Sequence, residues 1–429
     1  MLNFVELINI GVLALTTINY QPTTNLKIAV IGGGAAGFFG AINAARENPK
    51  ADITLHEKTG KLLSKLLISG GGRCNVTHAC FENAILIQNY PRGHKEMRGA
   101  FEHFSTKDTV EWFESRGVKL KTEPDGRMFP ITDSSETIAN CLLDAAEKAG
   151  VKIKKHQGVN KIIPVENGFD IHFQDGNHKI FDRVLLAAGG GPKLSFFDWL
   201  KELELDIVPP VPSLFTFNIP DKTLHEMAGI SVQDALITIN NSKLQQRGPI
   251  LITHWGLSGP AILKLSAWGA RELFDKDYKF DISIKWLPDF KEDELRNHIA
   301  NIKTENNRKQ TGSFSPFGFP ARLWKWILIK SEIADEIRWA DVSNKQINKL
   351  VTNLLQMPIR VEGKSTFKEE FVTAGGVSPK EINLKTMESK KHRGLFFAGE
   401  ILDIDGITGG FNFQVAWTSG FIAGKNLAV

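Results

Sequence analysis

The run from Leu26 to Glu57, LKIAVIGGGAAGFFGAINAARENPKADITLHE, constrains the fold more than any other segment of the chain. A short apolar strand enters Gly32-x-Gly34-x-x-Gly37, a helix of small residues follows, and a second strand ends on an acid. This order fits a dinucleotide site. Gly32 permits the tight strand-to-helix turn, Gly34 lets the backbone approach a pyrophosphate, and Gly37 lets the helix pack closely on the strand. Ala35 and Ala36 keep the start of the helix free of bulk, so its N–H groups face the phosphate oxygens. Glu57, twenty positions after Gly37, stands where a carboxylate accepts ribose hydroxyls. A glycine turn in an ordinary α/β unit is the competing reading, and the agreement of strand, helix, second strand and terminal acid weighs against it.

At 429 residues, with 42% apolar and 23% charged residues, the chain has the balance of a multidomain globular protein. One small module and a disordered chain are both excluded. The formal charge of +4 suits small anionic ligands and is too weak to favour nucleic acid. Three cysteines, Cys74, Cys80 and Cys141, make a disulfide framework improbable and point to the cytosol. The first 25 residues hold an apolar run from Leu7 to Leu15 with no Lys or Arg before Lys27. That run lacks the positive flank of a secretory signal and the length of a membrane span. It reads as an extension ahead of the first domain, and no membrane association is expected.

Organisation follows from texture. Residues 26–205 and 376–429 read as two parts of one doubly wound α/β domain. Between them, 206–288 and 356–375 read as a β-rich insert and 289–355 as a charged helical subdomain. Residues 94–117 and 134–151 carry helical spacing. Phe181–Gly191, FDRVLLAAGGG, reads as a central parallel strand whose end, Ala188 and Gly189, meets a ligand. Leu395–Ala398 is a returning strand, and Gly409 and Gly410 open a helix whose free N–H groups and dipole would stabilise negative charge on a ligand.

The motifs ISGGGRCNVTH, THWGLSGPAIL and FAGEILDIDGITGGFNFQVAWTSG, in this order, closely resemble the BaiN-like or aminoacetone-oxidase-like (YhiN-like) bacterial family of FAD-dependent oxidoreductases. The likeness runs from Leu26 to Val429. It implies FAD in a glutathione-reductase-type domain with a β-barrel-like insert and a helical subdomain. Carried over residue by residue, it makes Gly32, Gly34 and Gly37 the pyrophosphate turn and Glu57, beside Lys58, the ribose acceptor. Gly71, Arg73, Cys74 and Asn75 sit beside the flavin, with Gly399, Glu400, Asp403 and Asp405 near the ribityl chain and pyrophosphate. Gly409, Gly410, Phe411 and Asn412 lie under the pyrimidine end. Where many members carry Gly-Arg-Lys or Gly-Lys-Lys, this chain has Leu63-Ser64-Lys65-Leu66, so a cationic contact to the adenosine side is left unassigned.

Arg73 and His254 are the candidate catalytic residues, each with a bland competitor: a surface arginine and a structural turn histidine. Cys74 and Cys80 lack the spacing of a redox-active pair. Trp324, Trp326 and Phe319 line an entrance or fill a helical core. No metal ligands are expected. The resulting expectation is an FAD enzyme transferring hydride at flavin N5 to or from a small organic substrate. NAD(P)H or oxygen is its electron partner, although only one GxGxxG unit is visible. A flavoprotein of RNA modification and a non-catalytic FAD protein are the alternatives.

Overall fold

The computed structural model describes residues 25–365 and 372–429. The expected extension therefore lies, but for Asn25, outside the described residues. Five strands form a parallel core: β1 (Lys27–Ile31), β2 (Asp52–His56), β3 (Lys152–Lys154), β4 (Arg183–Leu186) and β5 (Leu395–Phe397). Their spatial order is β5-β4-β1-β2-β3, and two short antiparallel strands, Ile382–Asn383 and Glu388–Ser389, extend the β5 edge. Being covered on both faces, the inner strands are continuous apolar runs: Ile28, Ala29, Val30, Val184, Leu185 and Leu186 are fully buried.

The first helix, α1 (Ala35–Glu47), and the last, α2 (Phe411–Leu427), are buried nearly all round, as helices inside a core must be. They pack on each other through glycine. A Cβ on Gly424 would lie 2.5 Å from the Gly40 carbonyl oxygen, and one on Gly420 would lie 2.9 Å from that of Ala36. Helices from opposite parts of the sequence are thus held backbone against backbone.

Helical spacing over 94–117 resolves into two helices, His94–Phe101 and Thr106–Glu114. They part at Ser105, whose N–H and hydroxyl both donate to Asp108, at 2.7 Å each. The chain leaves the first core along Ile207–Ser213 and returns along Val372–Val377, which pair antiparallel. Beyond lies an antiparallel sheet of seven strands. Its edge strands, Met357–Glu362 and Lys364–Ser365, are separated in the chain by Gly363 alone, which brings the two edges together and curls the sheet. Helices Glu292–Glu305, Ala321–Lys330 and Asn344–Gln356 pack over it around Trp286, Trp324 and Trp339. Trp324 and Trp326 are therefore core residues, with Phe319 packed against them. The helices Pro260–Trp268 and Ala270–Asp275 interrupt what reads in sequence as an all-β insert. Proline just inside the first of them, after Gly259, is a helix-start signal that the strand-like flanks obscure.

The two cores meet at Arg92. Its Nε donates to Asp405 Oδ1 at 2.5 Å, a terminal nitrogen bonds Asp405 Oδ2, and further bonds reach Ser213 Oγ at 3.2 Å and the Ala267 carbonyl at 2.6 Å. Burial pushes the Asp405 carboxyl above its ordinary value, with Arg92 and Ser213 pulling it back.

His56, at the end of β2, is 4% exposed. Its Nδ1–H donates to Gln157 Oε1 at 2.8 Å, while Nε2 is buried without a partner among the described residues. Burial lowers its pKa from 6.5 to about 4. The unfolded chain therefore binds this proton more readily, so the stability His56 contributes is present above pH 6.5 and lost as pH falls toward about 4. The size is about 3 kcal/mol. Denaturant titrations across this window should show that loss, and His56→Gln should flatten it; an unchanged slope in the variant would contradict the assignment. Gly424→Val should cost on the order of 1–3 kcal/mol or more by forcing α1 and α2 apart, and a thermal midpoint equal to wild type would exclude that contact.

Candidate functional site

The C-terminal ends of β5, β4, β1 and β2 open onto a cavity of about 590 Å³. In an open parallel sheet this is where ligands bind, because strand order reverses there and the helices diverge. Gly32–Ala36 follow β1, Glu57–Thr59 follow β2, Ala187–Gly190 follow β4 and Ala398–Glu400 follow β5; all line the cavity. From the start of α2 come Gly409, Gly410, Asn412 and Phe413, and from the insert Leu214, Thr216, Ser258, Leu263 and Ser365.

The three glycines of the fingerprint differ in what surrounds them. A Cβ on Gly32 would lie 2.3 Å from the Ala187 carbonyl oxygen, and one on Gly37 would lie 2.0 Å from that of Gly32. Those two close the turn. At Gly34 a Cβ would meet nothing within 4 Å and would project into open space, leaving a cradle beside the N-terminus of α1. Glu57 is fixed across from it: Oε2 accepts the Gly33 N–H at 2.9 Å, and Oε1 accepts the Thr59 N–H and hydroxyl, each at 2.8 Å. Lys58 lies 5.6 Å from the centre of the Phe196 ring.

At the other end, Asn75 bonds the helix start. With its amide oriented to satisfy both contacts, its nitrogen donates to the Thr77 carbonyl and its oxygen accepts the Gly410 N–H, both at 3.0 Å. That N–H is therefore engaged by protein. The Asn412 amide is likewise tied to Gly406, through two bonds of 2.9 Å.

Of the residues singled out in sequence, Gly32, Gly34, Ala35, Ala36, Glu57, Lys58, Asn75, Ala188, Gly189, Gly399, Glu400, Gly409, Gly410 and Asn412 line this one cavity, and Gly37 supports its wall. Others are placed elsewhere. Arg73 lies over the Phe129 ring at 4.0 Å and pairs with Glu123 at 2.6 Å. Cys74 is fully buried and its thiol is pushed up to about 12 by burial; Gly71 precedes this pair outside the lining. Asp403 faces Arg271 at 3.4 Å, and Asp405 is held by Arg92. Phe411 packs on Tyr90 and His78. His254 is exposed on the turn between Gln245–Thr253 and Gly256–Ser258.

Three cations that the motifs did not select, Lys61, Lys65 and Arg127, line the cavity. Lys65 donates to Glu400 at 2.6 Å, and Glu400 also accepts the Thr373 N–H at 2.9 Å. Lys65, inside the Leu63–Leu66 run, thus brings a cation to the cavity wall beside Glu400. Arg127 bonds Asp125 at 2.7 Å and Glu123 at 2.8 Å; its place at the end of the EPDGRMFP turn is the signal that could have marked it.

A glycine cradle at the strand ends of a parallel sheet, faced by an acid after the second strand, defines a Rossmann-type dinucleotide-binding protein. Residues 26–426 match the HI0933-like protein Rossmann domain family, and the chain belongs to it. It is 27% identical over 411 residues to a 3-dehydro-bile acid delta(4,6)-reductase of Clostridium scindens, covering 94% of this chain and 99% of that protein. It is 29% identical over 412 residues to a ribosomal RNA dihydrouridine synthase of Escherichia coli, covering 93% and 97%. A quinol-fumarate reductase structure shares the fold, with a TM-score of 0.50 at 14% identity over 94% of this chain and 71% of that one. Family and site make the chain an FAD-dependent oxidoreductase. Among the described residues no helix is long and apolar enough to cross a membrane.

The open space at Gly34 gives the site its sharpest test. Gly34→Val should fold with a melting profile like that of flavin-free wild type yet retain no FAD, because the side chain takes the place of a phosphate. Full flavin occupancy in that variant would contradict the cradle.

Proposed function

We propose that this chain is an FAD-dependent reductase that saturates a carbon–carbon double bond conjugated to a carbonyl in a small organic substrate. The observation that carries the reading is the continuity of one cavity from the Gly34 cradle to the start of α2 and on to the insert residues Leu214, Thr216 and Leu263. An extended dinucleotide fills the first stretch, and the remainder is a pocket of mixed apolar and hydroxyl character. FAD, when bound, supplies hydride chemistry at its ring.

The residues of this chain have other tasks. Gly32–Ala36 receive the pyrophosphate, Glu57 accepts the ribose hydroxyls, and Gly409, Gly410 and Asn412 border the ring. Thr216, Ser258, Ser365 and Thr408 line the cavity and can orient a carbonyl or pass a proton to carbon through a hydroxyl. Cys74 is fully buried and outside the lining, so it is not that donor. Arg127 brings positive charge into the wall; its Nη1 makes no hydrogen bond among the described residues and can polarise the substrate oxygen.

The names of the two relatives support this reading: one is a 3-dehydro-bile acid delta(4,6)-reductase, the other a ribosomal RNA dihydrouridine synthase. The E. coli relative favours RNA as a second substrate reading, although a charge of +4 gives little help in gathering it. The electron donor is NADH, NADPH or a protein.

Dithionite-reduced holoprotein mixed without oxygen with a 3-oxo-4-ene steroid, with unmodified ribosomal RNA and with their saturated forms tests the reading. Rapid flavin reoxidation by an unsaturated acceptor and none by its saturated form is expected. The steroid arm supports the small-molecule reading and the RNA arm transfers it to nucleic acid. A flavin that stays reduced with every unsaturated acceptor would overturn both.

A further inference from the structure

Away from the cavity, the antiparallel hairpin of Gly168–Phe173 and His178–Phe181 carries three metal-ligating side chains on one face. Side chains two apart on a strand share a face, so Asp170 and His172 project together. The register sets His178 directly opposite His172, and residues paired this way are close enough for their side chains to touch. The imidazoles accordingly stack, with centroids 5.1 Å apart and planes at 21°. Asp170 joins them: it accepts from His172 Nε2 at 3.1 Å and from His178 Nδ1 at 2.9 Å.

We propose that Asp170, His172 and His178 bind a single divalent transition ion of the zinc class. One ligand atom from each of the three lies within 4.8 Å of the others. A tetrahedral zinc ion with bonds of about 2.0–2.2 Å sets its ligand atoms roughly 3.3 Å apart, so small ring rotations close the site. Two imidazoles and one carboxylate suit zinc, nickel and copper better than magnesium or calcium, which take oxygen ligands. The side chains are 18%, 38% and 61% exposed in chain order, which leaves an entry path and room for water in the remaining position. On binding, Nε2 of His172 and Nδ1 of His178 turn lone pairs to the ion and their protons move to the opposite ring nitrogens. Asp170 exchanges two hydrogen bonds for a metal bond. No electrons are transferred.

The ion would cross-link a hairpin whose other face is core. Phe169, Ile171, Phe173 and Phe181 are buried, and the rings of Phe173 and Phe181 flank His56 at 4.9 and 5.5 Å. The second strand continues into β4, whose end lines the cavity. The role is thus to stiffen the sheet behind the adenosine side. No metal was expected from the sequence, because Asp-x-His and a histidine six residues on become neighbours only once the hairpin register is known.

Zinc chloride titrated calorimetrically into chelator-treated holoprotein tests the proposal, beside a variant carrying His172→Gln with His178→Gln and a second carrying Asp170→Asn. Wild type should bind one equivalent, with a thermal midpoint that rises with occupancy. Both variants should bind roughly 10- to 100-fold more weakly or not at all, while flavin content equal to wild type shows that they fold. Absence of zinc binding by wild type, or the same isotherm in wild type and a flavin-replete variant, would overturn the site.

Discussion

Everything that follows in this fold depends on the backbone contact between its first and last helices. Gly420 and Gly424 of α2 lie against Ala36 and Gly40 of α1 with no room for a side chain. That closeness sets Gly34, at the start of one helix, and Gly410, at the start of the other, on the rim of the same cavity. Residues separated by most of the chain are joined without a disulfide, by dispersion between closely packed backbones and by burial of both helices on the sheet.

The insert closes the cavity from outside. Its paired linker strands allow the second core to be built separately, and Arg92 ties that core to the first through Asp405, Ser213 and the Ala267 carbonyl. A buried carboxylate needs such a partner, since an unpaired charge there would be costly. Polar groups at the cavity are arranged on the same principle. Asn75, Asn412, Glu57 and Glu400 each spend their hydrogen bonds on fixing backbone or a neighbouring cation, so the wall is rigid before any ligand arrives.

Much of this was legible in the sequence because it is local. The Gly32-x-Gly34-x-x-Gly37 spacing can be read within six residues, although the carbonyl that crowds Gly32 belongs to the distant Ala187, and the strands and helices around the motif follow from apolar spacing. That Ala188–Gly189 lie at a cavity-lining strand end was legible for a related reason, since they directly follow a buried strand, whereas Gly399 and Glu400 were singled out through the family resemblance. What escaped depends on partners distant in the chain. Arg73 stood out in sequence after its glycine triplet, yet of the two arginines that pair with Glu123 it is Arg127 that lines the cavity. Asp403 and Asp405 sit in a glycine-rich motif that points to cofactor, while their carboxylates are held by Arg271 and Arg92. The Gly420 and Gly424 contact was equally hidden, because a small-residue helix does not announce which helix it meets.

The central claim, that segments from the two ends of the chain enclose one flavin dinucleotide, is tested most directly by the cofactor content of the purified wild-type protein. Denaturation should release a single FAD per chain, identified chromatographically, and the stripped protein should regain it from solution in the same ratio. Folded protein that emerges colourless and takes up no FAD would contradict the account.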